Sequence, residues 1–172
     1  LAFDPASPEN ATNLYLRIAR HLDFATRAGR AFAADLAAGR PVFVLGEIFG
    51  AGVQDLSYGC KTDHDRDLGF RVFDVYVGWV GQGAFLSDAE LEAACAALAL
   101  PRVPVLYRGP FSRAAMREHT DGRETVSGKA LHVREGIVIR PQVERDHPEL
   151  GRVQLKSVSE KYLLRSGGTE YN

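Results

Sequence analysis

Phe70-Arg71-Val72-Phe73-Asp74-Val75-Tyr76-Val77 is the stretch on which the fold turns. It is rich in β-branched and aromatic residues and free of Gly and Pro, which is the composition of a strand. Regular alternation puts Phe70, Val72, Asp74 and Tyr76 on one face and Arg71, Phe73, Val75 and Val77 on the other. Working outward, this strand, running from Phe70 to Trp79, has short companions at Val42–Leu45, Val103–Tyr107, Ile137–Ile139 and Val153–Leu155. Helical signals stand between and before them. Ser7-Pro8-Glu9 reads as a cap, a first-turn proline and an acid at the positive end of the helix dipole. Leu14, Ile18, Leu22 and Ala25 then follow at helical spacing, and the helix is expected to end near Gly29. A second helical stretch, Ala31–Ala38, stops at Gly39, and Ser87-Asp88-Ala89-Glu90 is a capping box ahead of Leu91–Leu100. Strand and helix alternate too irregularly for a doubly wound parallel sheet. The pattern predicts an α+β fold with antiparallel sheets and flanking helices, in one domain over residues 1–172.

Composition narrows the class. The 172 residues are 45% hydrophobic and 25% charged, an ordinary globular balance. No apolar run approaches the roughly 18 to 20 residues of a membrane span. Leu1-Ala2-Phe3-Asp4-Pro5 lacks the basic start and apolar core of a signal peptide, so a cytoplasmic location is expected. The first residue is not Met, and the natural start is expected upstream. Cys60 and Cys95 fit neither a disulfide framework nor a zinc site. The net charge of −1 conceals a gradient, with 8 Lys and Arg against 13 Asp and Glu in residues 1–100 and 13 against 9 in residues 101–172. A basic C-terminal part suits phosphates, or forms an ordinary solvated surface.

Four segments carry chemically useful side chains. In Gly46-Glu47-Ile48-Phe49-Gly50-Ala51-Gly52-Val53-Gln54-Asp55-Leu56-Ser57-Tyr58-Gly59 a carboxylate ends an apolar strand among glycines that permit close approach of a ligand. On the opening strand Phe73 offers a ring for stacking on a base, or a core side chain. In Arg134-Glu135-Gly136-Ile137-Val138-Ile139-Arg140-Pro141 a Glu at the mouth of a strand suits a divalent metal or a sugar hydroxyl, with a salt bridge to Arg134 or Arg140 as the alternative. Gln154-Leu155-Lys156-Ser157-Val158-Ser159-Glu160-Lys161-Tyr162 ends a strand on a lysine able to act as a point charge on a phosphate.

In that order the four segments resemble the ATP-dependent RNA ligases, of the covalent nucleotidyltransferase superfamily that also holds DNA ligases and capping enzymes. Glu47 matches motif III, Phe73-Asp74 motif IIIa, Glu135-Gly136 motif IV and Leu155-Lys156 motif V. The run Gly52-Val53-Gln54-Asp55-Leu56-Ser57-Tyr58-Gly59 is most similar to the branch whose nucleotidyltransferase domain follows an N-terminal OB domain. The resemblance runs from about Leu1 to Tyr162 and implies an ATP-grasp-like adenylylation domain. One part has no counterpart. The family's nucleophile is a lysine in KxDG or KxxG ahead of motif III, whereas the first lysine here is Lys61, which reads as a charged loop residue. The chain is therefore expected to be the C-terminal portion of a ligase, its upstream segment carrying motif I and an OB domain.

The resemblance also implies roles. Lys156 would neutralise the α-phosphate of ATP, Glu135 would hold Mg²⁺ or Mn²⁺ or the ribose, Glu47 would bind ribose hydroxyls, and Phe73 would stack on adenine. Many relatives carry a second lysine two places after the first in motif V. Here that place is Val158, and Lys161 is the candidate substitute. The implied partner is RNA with 3′-hydroxyl and 5′-phosphate ends, including nicked duplex. Two alternatives stand beside it: a capping-type guanylyltransferase and a nucleotide- or RNA-binding remnant without catalysis.

Overall fold

The computed structural model describes Ser7, Asn10, residues 12–61 and residues 68–165. The expected cap at Ser7-Pro8-Glu9 falls partly outside them. Helix α1 (Leu14–His21) begins instead at Asn13, whose side chain accepts from Tyr15 N at 3.0 Å and Leu16 N at 3.2 Å. This is the ordinary way to satisfy the orphan amides of a first turn. The single helix expected to run to Gly29 is broken at Asp23, which takes a left-handed φ of 49°, and resumes as α2 (Phe24–Ala31). The next stretch is shortened to α3 (Ala33–Ala37).

Strands β1 (Val42–Phe49), β2 (Gly69–Val77) and β3 (Ala84–Phe85) form an antiparallel sheet in that order. The pairing of β1 with β2 has one irregularity: Leu45 faces Asp74 and Gly46 faces Val72, so Phe73 is the extra residue of a bulge. This corrects the expected faces. Val72 and Val75, three residues apart, enter one core cluster with Phe32, Leu91, Cys95 and Leu98, and Phe70 and Val77 pack against it. Asp74 lies on the opposite face with Arg71 and Tyr76.

Helix α4 (Asp88–Leu98) covers the core face of this sheet, burying Leu91, Ala94, Cys95 and Leu98. Fully burying each leucine is worth about 1.5–3 kcal/mol. Its capping box is formed as expected, Glu90 accepting from Ser87 N at 2.8 Å. The Ser87 hydroxyl also accepts from Glu144 N at 3.1 Å, which fastens a distant segment to the helix start. Arg27 of α2 caps the other end, donating to Ala99 O at 2.6 Å. The expected strand over Val103–Tyr107 is not formed. Arg102 bridges Val72, but Pro101 and Pro104 supply no N–H to a ladder, and the segment is held by Arg102 and Arg108 on Asp88.

After α5 (Arg113–Thr120), capped by Ser112, comes a second layer of small antiparallel sheets. Strand β4 (Gly136–Ile139) pairs with β7 (Leu155–Val158), and β5 (Asp146–His147) pairs with β6 (Gly151–Arg152). The last strand starts two residues later than expected because the Val153 amide goes to Arg145 O at 3.1 Å. Helix α6 (Glu160–Leu163), capped by Ser159, follows. The α+β class with antiparallel sheets is as expected from the pattern of strands and helices. No helix among the described residues is long and apolar enough to cross a membrane.

Candidate functional site

Glu47, Glu135 and Lys156 come from three separate strand regions; the last two meet, and Glu47 lies near enough to feel both charges. Lys156 Nζ stands 2.6 Å from Glu135 Oε1. Glu47 lies within the field of both: burial raises its carboxyl pKa, the Glu135 charge raises it further, and Lys156 opposes them. Neither Arg134 nor Arg140 takes Glu135, contrary to the alternative considered from sequence. Arg134 bonds the carbonyls of His119 and Arg123, and Arg140 turns to Asp74.

Gly136 makes the meeting of Glu135 and Lys156 possible. In the β4–β7 register Lys156 stands across from Val138, so strict alternation would send Glu135 to the other face. Gly136 has a φ of +155°, and a Cβ there would lie 2.1 Å from Ser157 O. Only glycine lets β4 approach β7 this closely while the chain leaves regular alternation. The ion pair itself is exposed, with 61% of the Lys156 side chain and 39% of the Glu135 side chain accessible. Such a pair contributes about 0–1 kcal/mol, so it is easily exchanged for a ligand.

Tyr58 is a site residue that sequence reasoning quoted but did not single out. Its ring makes edge contacts with Phe49 at 5.2 Å and His132 at 4.5 Å between centroids. Burial, followed by the charges of Glu135, Glu124, Glu47 and Asp55, pushes its phenol up to about 12. It therefore remains a hydrogen-bond donor beside the carboxylates. A left-handed φ of +49° directly before Gly59 places it, a turn that only the following glycine hints at in the sequence. The turn carrying it is tied to the far end of the chain, since Arg165 stacks 3.6 Å over the Tyr162 ring and pairs with Asp55 at 2.9 Å.

Phe73 is 38% exposed on its bulge, and its ring has no aromatic or cationic neighbour among the described residues. Lys161, on α6, has its ammonium 3.9 Å from Asp121. Lys61 is exposed between β1 and β2.

Two buried carboxylates organise the surroundings. Asp74, 2% exposed, receives Arg140 at 3.0 Å and Arg152 at 2.6 Å, and Arg152 also pairs with Glu144 at 2.8 Å. Glu124, 3% exposed, accepts from the Ser127 amide at 2.9 Å, the Ser127 hydroxyl and the Leu131 amide at 3.0 Å. Burial alone would raise its pKa, but these bonds and the His132 charge outweigh it and bring the carboxyl to about 2. Its stabilising contribution is therefore present above about pH 4.5 and is lost as pH falls toward 2. Glu124→Gln is expected to lower stability by about 1–3 kcal/mol at neutral pH. Urea unfolding across this range should show the variant losing less stability on acidification than the parent. Parallel pH profiles would exclude this role for the carboxylate.

Among the described residues no group of three or more His, Cys, Asp or Glu is arranged for a metal. The Glu47 and Glu135 pair nonetheless suits magnesium, which takes one or two carboxylates and completes its shell with water and phosphate oxygens. A family model described as RNA ligase matches residues 6–158. Comparison with curated proteins returns no match.

Proposed function

The chain belongs to the RNA ligase family, and from that premise we propose that it is the nucleotide-binding part of an ATP-dependent enzyme. That enzyme joins a 3′-hydroxyl to a 5′-phosphate of RNA through enzyme–AMP and RNA–adenylate intermediates. What supports the reading is the convergence of Glu47, Glu135 and Lys156, residues too far apart in sequence to meet by chain neighbourhood.

In the first step a lysine amine attacks the α-phosphorus of ATP, forming an N–P bond as the bond to the pyrophosphate oxygen breaks. Lys156 holds the α-phosphate and balances the charge that moves to the leaving group. It leaves Glu135 at small cost because both partners are already solvated. Glu135 would hold Mg²⁺ or Mn²⁺, which when bound would further screen the phosphates. Glu47 takes the ribose hydroxyls. Its raised pKa reflects burial first and the neighbouring Glu135 charge second, and a hydroxyl donor or a cation offsets both. Phe73 gives the adenine a face to stack on, and Lys161 is the reserve cation for the phosphates.

None of the chain's four lysines, Lys61, Lys129, Lys156 and Lys161, stands in KxDG or KxxG. The nucleophile is therefore contributed by an upstream segment, which in this branch also bears an OB domain. The test is incubation with α-labelled ATP and magnesium. These 172 residues should remain unlabelled, while a protein extended by the KxDG segment should become labelled and seal nicked RNA. A covalent AMP on any of the four lysines would overturn the placement of the nucleophile. An extended protein that neither labels nor seals would overturn the ligase reading.

A further inference from the structure

A cavity of about 350 Å³ opens between the β1–β2 pair and the loop held by Glu124. Phe49, Tyr58, Arg71, Ser127 and Lys129 are among its lining residues. Arg71 stands across from Glu47 in the register, yet the two do not pair. Its guanidinium is fixed instead by neutral groups, donating to Phe70 O at 3.1 Å and Val126 O at 3.5 Å and lying 5.6 Å from the Phe49 ring centroid. Its charge is thus oriented, with no ion-pair partner among the described residues. Lys129 is exposed, its backbone amide is fastened to Ser127 Oγ at 3.0 Å, and its ammonium has no ion-pair partner among the described residues. Two cations and the partly exposed Tyr58 ring, backed by the buried Phe49, around a space of this size match what grips single-stranded nucleic acid. The volume suits one nucleotide unit and is small for a base together with a triphosphate.

We propose that this cavity seats a nucleotide of the RNA strand, with Arg71 and Lys129 holding one backbone phosphate. The proposal rests on the ligase reading and adds to it a strand-binding site distinct from the Lys156 phosphate position. Lys129 is the residue to vary, because Arg71 also braces the loop through Val126.

The test uses the full chain, a short fluorescent oligoadenylate followed by anisotropy over a salt series, and ATP followed by equilibrium dialysis. Lys129→Ala should weaken the oligonucleotide about fivefold, the worth of one close charge contact in water. It should lower the slope of log affinity against log salt by about 0.7, one phosphate contact on a single strand. Lys129→Glu should weaken binding further, and ATP binding should be unchanged in both variants. Oligonucleotide affinity and slope that ignore both substitutions overturn the site while leaving the ligase reading intact. Equal losses for ATP and oligonucleotide assign the cavity to the phosphates of the free nucleotide and overturn the RNA assignment. An unaltered chain that binds ATP but no oligonucleotide overturns the site, and one that binds neither overturns the ligase reading as well.

Discussion

In a protein extended by the KxDG segment, Lys156→Ala is expected to slow transfer of AMP to the enzyme by about 10²–10³, the cost of removing one preorganised partner of developing charge. The side chain is 61% exposed and its pair with Glu135 contributes little to folding, so the loss should appear in rate without a matching loss of stability. Single-turnover labelling at saturating ATP, set beside urea unfolding, separates the two. Lys61→Ala is the control, since an exposed loop charge is screened by water and salt. A Lys156 variant that labels within a few-fold of the parent would remove this residue from the phosphate.

Asp74→Ala should have the largest effect on stability, about 3–5 kcal/mol, because it strips the shared acceptor from two arginines that are themselves largely buried. Arg140 and Arg152 show only 12% and 19% of their side chains, and Glu144 alone would remain to balance both. Asp74 is on β2, Arg140 directly follows β4 and Arg152 lies on β6, so the network joins the first sheet to the second layer. Loosening it should therefore also disturb the approach of Glu47 to Glu135 and Lys156. Urea unfolding with far-ultraviolet detection measures the first effect, and ATP binding the second. A loss under about 1 kcal/mol would mean that water replaces the carboxylate in this network.

The order of four short segments along the chain made Glu47, Glu135 and Lys156 readable as one site before any geometry was known. Their side chains carry distinctive chemistry at strand ends, where few other residues compete for notice. Asp74 shows the opposite case. It was visible as a polar residue in a strand, but its partners Arg140 and Arg152 follow 66 and 78 positions later, and no local pattern links them. The place of Tyr58, and that of Lys129 within the basic C-terminal part expected to suit phosphates, was hidden for a different reason. Their positions depend on turns, one at a left-handed tyrosine and one folded around the buried Glu124, and turn geometry leaves a weak trace in composition. The Val103–Tyr107 run has the apolar content of a strand but forms none, because Pro101 and Pro104 supply no N–H to a ladder.

Phe73 divides β2 in an unusual way. If it is skipped, Phe70 through Val77 alternates without fault, with Phe70, Val72, Val75 and Val77 toward the core and Arg71, Asp74 and Tyr76 away from it. A chain one residue shorter here would make a regular ladder and keep every other side chain on its present side. The core asks nothing of this ring, and the ladder would run more smoothly without it. Phe73 is thus a passenger in the architecture, and selection acting on folding alone would have every reason to let it go. In the proposed reading, its presence marks a place where the needs of a ligand and the needs of the sheet part.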